Sequence, residues 1–294
     1  MTDTPAPTAV TNEAERRHRL ELEQAGADHL SRLHGALELQ AAVLALLLPV
    51  DSQRAARAWQ VETETTPNAQ AVLEHVTQLP HAARLPWFET LVSRMRGQPQ
   101  AARQALLEST RRVMAARGVV RPIDRLHWLA MRQRLGEASA AGARVAAAAD
   151  LSRLPQSDVS AIAVYSAFLS RMVPVDAAHP PQPAGAAPAA LGAAWYDTVM
   201  APWQRRATVE PCVPPDTDAL VHALQELQAL PWMQRPVLVR SWVGAAQQHS
   251  RHGRIGDGAA DALRLSCSLL DSPLPPELTR HYDTAALQSP QPPR

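Results

Sequence analysis

Along this chain apolar residues recur every three to four positions, and nowhere do they alternate every second position over a useful length. Leu220, Leu224 and Leu227 repeat in this way, as do Leu238, Trp242 and Ala245, and Leu263, Cys267 and Leu270. Leu106, Thr110, Val113 and Met114 make a fourth stripe. Such spacing lines one face of an α-helix, whereas a half-buried strand needs a period of two. Composition points the same way. Aromatic residues make up 4% of the chain, and Val and Ile are few beside Ala and Leu. Ala, Leu, Arg, Gln and Glu lose little entropy in a helix, while strands draw on β-branched and aromatic side chains. The expected fold is all-α, an array of about ten to twelve helices in two halves, with no sheet.

Helix punctuation supports this reading. Leu30, Leu33 and Leu37, then Val43, Leu44 and Leu47, share one side of a helix that Pro49 stops. Gly118 is placed to end the helix carrying Leu106. Asp216 or Thr217 can cap the helix carrying Leu220, and Pro236 suits a first helical turn.

Residues 1–18 and 285–294 read as disordered, Pro-rich tails, and 174–190 as a Pro/Ala-rich connector. Prolines fix φ and remove amide donors, so the connector is expected to be extended and to separate a helical domain at 19–173 from another at 191–284. The start, Met1 to Val10, lacks the basic-then-apolar order of a secretory signal. The most apolar run, Ala41 to Val50, falls short of the roughly 20 residues that span a bilayer and is expected to be a buried core helix. The chain is therefore expected to be soluble and cytoplasmic, with Cys212 and Cys267 in a reducing compartment.

An internal echo is present. Arg103-Gln104-Ala105-Leu106, Gly118-Val119-Val120 and a helix from Pro122 form one unit. Arg235-Pro236-Val237-Leu238, Gly253-Arg254-Ile255 and a helix from Asp257 form the other. Leu85-Pro86-Trp87 and Leu230-Pro231-Trp232 precede them. A Gly-centred turn between paired helices is a helix–turn–helix building block.

Chemistry is sparse. All 29 basic residues are arginine, which excludes any lysine nucleophile, general base or phosphate-loop lysine. A net charge of +1 gives no field for nucleic acid. There is no His-Glu-x-x-His, Gly-x-Ser-x-Gly or Gly-x-Gly-x-x-Gly motif. His249 and His252, at i and i+3, read as a solvated helix end. Gly253-Arg254-Ile255-Gly256-Asp257-Gly258 follows a helix and has no lysine after it, so it reads as a turn. No catalytic, cofactor-binding or metal-binding residue is assigned. The seven tryptophans, at 59, 87, 128, 195, 203, 232 and 242, are helix-packing anchors in the simplest reading; a cluster of them left exposed would mark a protein-binding face. Trp87, Trp128, Trp232 and Trp242 are the candidate partner-binding residues.

Two Gly-centred turns carry a family resemblance. Ala115-Ala116-Arg117-Gly118-Val119-Val120 followed by Asp124, and His252-Gly253-Arg254-Ile255 followed by Leu263-Arg264, resemble the turn of tellurite-resistance TerB-like helical domains. There the pattern Ala-Asp-Gly-x-Ile precedes an acidic residue, then Leu and Arg on the next helix. The run from Ala262 to Pro276 is similar to the close of the C-terminal cytoplasmic region of certain bacterial integral-membrane zinc peptidases. Ala42 to Leu48, Arg54, Gln60 and Leu151 to Leu169 fall in the order of that region, so the likeness covers about residues 25 to 282. The peptidase motif and its transmembrane helices are not in this sequence, so that activity is not carried over. In TerB-like domains the acid before the turn glycine belongs to a proposed divalent-cation site. Arg117 and His252 replace it here, and Ala259 replaces the later acid in the second copy, so the resemblance implies no cation site.

Together these features imply a non-enzymatic, cytoplasmic helical interaction or regulatory module that docks on a protein partner. The resemblance nominates a membrane peptidase or another membrane complex, which would hold the chain peripheral to the inner membrane. Two alternatives stay open: an all-helical enzyme drawing on Glu89, Glu108, Asp124, His127 and His222, and a metal- or stress-responsive TerB-like protein.

Overall fold

The computed structural model describes residues 7–49, 52–136, 150–173 and 190–286. Among them are thirteen α-helices and no strand. They form two compact units, one reaching to Ala116 and resuming at Tyr282, the other spanning Arg117–His281.

The first unit is built around α2 (Ala36–Leu46), in which every residue from Leu39 onward is buried. A helix apolar on all sides has to be surrounded. It packs against α3 (Gln53–Glu62), α4 (Ala69–Gln78), α5 (His81–Arg96) and α6 (Gln100–Ala116). α1 (Pro7–Ser31) lies on α4 and corrects the expected disordered tail at 1–18, which is helical from Pro7 onward. Polar groups in this core find partners. The Trp59 indole N–H donates to the Ala41 carbonyl at 3.0 Å, and the Gln40 amide donates to Ser109 Oγ at 3.2 Å.

The single helix expected through Leu30 and Leu47 is instead two. α1 ends at Ser31, and α2 starts after Gly35, whose extended φ of −69° and ψ of 140° serve as an N-cap. Leu37 consequently rotates out to 47% exposure, whereas Leu30 is fully buried. Arg94 from α5 closes the end of α1, donating to the carbonyls of Leu30 and Ser31, both at 3.0 Å. Arg84 does the same for α2, donating to the Ala45, Leu46 and Leu48 carbonyls at 3.3–3.4 Å. The last carbonyls of a helix have no intrahelical donor, and guanidinium groups fill that role here.

The second unit comprises α7 (Pro122–Leu135), α8 (Gln156–Leu169), α9 (Ala190–Met200), α10 (Thr217–Ala229), α11 (Gln234–Gln248), α12 (Asp257–Leu269) and the first half of α13 (Pro276–Ala286). Its central helix is α8, buried from Ala161 to Leu169 except at Val164. The Trp195 indole donates to the Trp242 carbonyl at 3.1 Å, and the Trp242 indole donates to Ser166 Oγ at 3.0 Å. Ser266 Oγ donates to the Ala262 carbonyl at 2.8 Å, so the hydroxyl of Tyr165, 3.0 Å away, donates to Ser266. The Tyr165 ring stacks on Trp242 with centroids 5.4 Å apart. This network joins α8, α9, α11 and α12.

That network corrects the expected domain boundary. The stretch 174–190 does not divide the protein, because α8 before it and α9 to α12 after it share one core. Residues 174–189, where the extended connector was expected, lie outside the described residues, as do 287–294 of the C-terminal tail.

Local signals read from sequence hold at several ends. Asp216 is the N-cap of α10, accepting from the Ala219 amide at 2.8 Å. We expect Asp216→Ala to lower unfolding free energy by about 1 kcal/mol in a denaturant titration, as N-cap losses do. Gly118 and Gly253, the glycines of the internal echo, adopt φ of +81° and +68°. Both therefore use the left-handed region that glycine enters without a Cβ clash.

Candidate partner-binding surface

The tryptophans sort sharply by burial. Trp59, Trp87, Trp195, Trp203 and Trp242 are all 5% exposed or less, and Trp128 is half-buried. Trp232 stands apart at 73% exposure, with Met233 beside it at 44%. Trp87 and Trp242 are thus withdrawn as partner-binding candidates: each fills a core. The echo between Leu85-Pro86-Trp87 and Leu230-Pro231-Trp232 fails for a local reason. Pro86 lies inside α5, so Trp87 follows that helix's buried stripe with Phe88 and Leu91. Pro231 lies between α10 and α11, where the chain turns outward.

The turn that carries Trp232 is fixed on both sides. Leu230 and Pro231 before it are buried, and so are Gln234 and Arg235 after it. The Gln234 amide donates to the Pro231 carbonyl at 2.9 Å, closing the turn over Trp232 and Met233. Arg235 then locks it in place. Its Nε donates to the Leu230 carbonyl at 2.8 Å, one terminal nitrogen to the Leu270 carbonyl at 3.2 Å, and the other to the Gln228 carbonyl. Gln228 in turn donates to the Leu269 carbonyl at 2.8 Å.

Electrostatics explain this arrangement. Arg235 sits in the first turn of α11, where the helix dipole disfavours a cation. It is held there because the C-termini of α10 and α12 converge on it, each presenting orphan carbonyls and a partial negative charge. The result is a large aromatic group on a turn with little freedom left to lose, the property that favours a binding anchor.

The residues that an enzyme reading would use are divided between the two units. Glu89 and Glu108 belong to the first and Asp124, His127 and His222 to the second, where His222 is exposed on α10. Asp124 and His127 are neighbours on α7, but neither is poised for proton transfer. Arg117 meets Asp124 at 2.6 Å and Arg121 meets it at 3.0 Å, and these guanidiniums hold its carboxyl below the usual range against the cost of burial. Burial lowers His127 to about 4, although Asp124 pulls the other way, and its Nδ1 lies 3.0 Å from the Ile123 carbonyl. The two carboxylate oxygens that a cation would need at Asp124 are occupied by arginine.

His249 and His252 do not converge: His249 Nε2 lies 2.8 Å from Thr198 Oγ1, and His252 points into solvent from a turn with φ of +54°. Cys267 is buried. Cys212 lies 3.3 Å from Ser170 Oγ, and burial raises its thiol pKa. Among the described residues no group of three or more His, Cys, Asp or Glu is placed to hold a metal ion, and no helix is long and apolar enough to cross a membrane.

Arg235, which holds the Trp232 turn, is the residue of this surface that sequence reasoning passed over. Its signal was present: a lone arginine at a helix start, just after Leu-Pro-Trp, is misplaced for its own helix and has to serve another. In comparisons with known proteins, no family model, curated protein or solved structure matches this sequence.

Proposed function

We propose that this protein is a non-catalytic helical docking module that engages a protein partner through the Trp232–Met233 turn. The observation that carries this reading is the exposure of Trp232 on a turn fixed by Arg235. An indole left three-quarters in water loses much of its apolar contact, and it regains that contact when a partner covers it. The likeness of the Gly118 and Gly253 turns to TerB-like domains, and of Ala262 to Pro276 to the cytoplasmic part of membrane peptidases, nominates a membrane protein complex as the partner. On that reading the module works at the cytoplasmic face of the inner membrane.

The test compares tagged wild-type protein with Trp232→Ala, each purified from its host in mild detergent. Trp232 is 73% exposed, so the variant is expected to keep its unfolding free energy within about 0.5 kcal/mol of wild type. Loss of an anchor of this kind weakens association by 2 kcal/mol or more, roughly thirtyfold. A stoichiometric partner present with wild type and absent with Trp232→Ala supports the proposal. Identical recovery with both variants sinks it.

A further inference from the structure

We infer that the ring pair His29–His75 is an acid-sensitive latch that holds α1 against α4. The two imidazoles, one from each helix, stack with centroids 4.3 Å apart and planes tilted by 30°. The helices approach closely beside them: a Cβ on Gly26 would lie 2.9 Å from the His75 carbonyl oxygen. Among the described residues, His29 Nε2 and His75 Nδ1 are both sealed from solvent without a hydrogen-bond partner. A neutral ring tolerates one such nitrogen as an unprotonated, weakly solvated acceptor. An imidazolium carries N–H on both nitrogens, so protonation of His29 turns its sealed Nε2 into a charged donor with no acceptor.

Other charges around the pair do not relieve this. Glu38 from α2 favours the proton on His29, whereas Arg32 on α1 opposes it. Asp28 on α1 accepts from Gln24 at 2.9 Å, and Glu74 on α4 accepts from Gln70 at 3.3 Å. Arg94 from α5 is held by the carbonyls at the end of α1. Burial, then the His75 ring, outweigh Glu38 and hold His29 below its ordinary value of 6.5.

A histidine depressed in the docked state binds protons better once α1 has left. The stabilisation is therefore complete above the ordinary value and is lost as pH falls below it. Arg94 keeps the end of α1 tethered, so opening swings the helix away and uncovers Leu79, which is buried when it is closed and whose side chain would lie 3.5 Å from a Cβ on Gly26.

Hydrogen exchange at pH 7.5 and 5.0, corrected for intrinsic exchange rates, tests the latch on the full chain. Residues 20–31 are expected to lose at least tenfold more protection than α5 on acidification. His29→Phe, which keeps a ring in the stack and removes the group that takes the proton, is expected to abolish that difference. Equal loss in α1 and α5, or an undiminished response in His29→Phe, overturns the inference. Ring titration by NMR in the wild-type protein needs no variant. His29 protonating below 6.5 agrees with the latch, and protonation at or above that value contradicts it.

Discussion

Trp242→Ala is expected to cost about 3–5 kcal/mol, the range for deleting a large buried aromatic side chain. The indole is fully buried, stacks on Tyr165 and donates to Ser166, so its removal opens a cavity between α8 and α11 and breaks a buried hydrogen bond. For a unit of this size that loss lowers the thermal midpoint by roughly 10 °C. Trp242→Phe separates the two contributions. It keeps an aromatic ring against Tyr165 and loses only the indole donor and some volume, so about 1–2 kcal/mol is expected. Equal and small effects of both substitutions, read by denaturant unfolding, would show that this network does not organise the second unit.

Arg235 gives the second large effect. Arg235→Ala leaves the Gln228, Leu230 and Leu270 carbonyls without their shared donor and uncovers two helix C-termini at once. Hydrogen bonds to a charged donor contribute about 1.5–3 kcal/mol each, and losses around one group are not additive, so about 3 kcal/mol is expected in total. Lysine is a poor substitute. Its single ammonium cannot reproduce the planar fork that reaches three carbonyls in different directions, so Arg235→Lys is expected to recover less than half of the loss. The substitution also frees the turn, and partner binding through Trp232 is expected to weaken in Arg235→Lys even when the protein is folded. Full retention of stability in Arg235→Lys would reduce the guanidinium to a generic cation.

How far the sequence prefigures the structure depends on the range of the interaction. Stripes such as Leu220, Leu224 and Leu227 need only their own helix to be recognised, and they are buried as their spacing implies. The Asp216 cap and the turn glycines are equally local. The break between Leu30 and Leu37 was hidden because apolar residues continue on both sides of it, and Arg94, the residue that closes the first helix there, comes from α5. The division of the chain was also misread. Proline content describes a segment's stiffness, whereas a boundary depends on which helices share a core, and Tyr165, Trp242 and Ser266 do so across the proline-rich stretch. The tryptophans illustrate the same limit. Trp87 and Trp232 have the same Leu-Pro-Trp context, yet one is 5% and the other 73% exposed, because one proline lies within a helix and the other between helices.

The docking role rests on the Trp232 turn being a contact surface in the cell, and a photo-cross-linking amino acid installed at position 232 tests that directly. Gln225, exposed on α10, supplies the control position. One discrete protein adduct is expected from position 232, at a yield well above that from position 225. Equal, diffuse labelling from both positions, or no adduct from either, would contradict it.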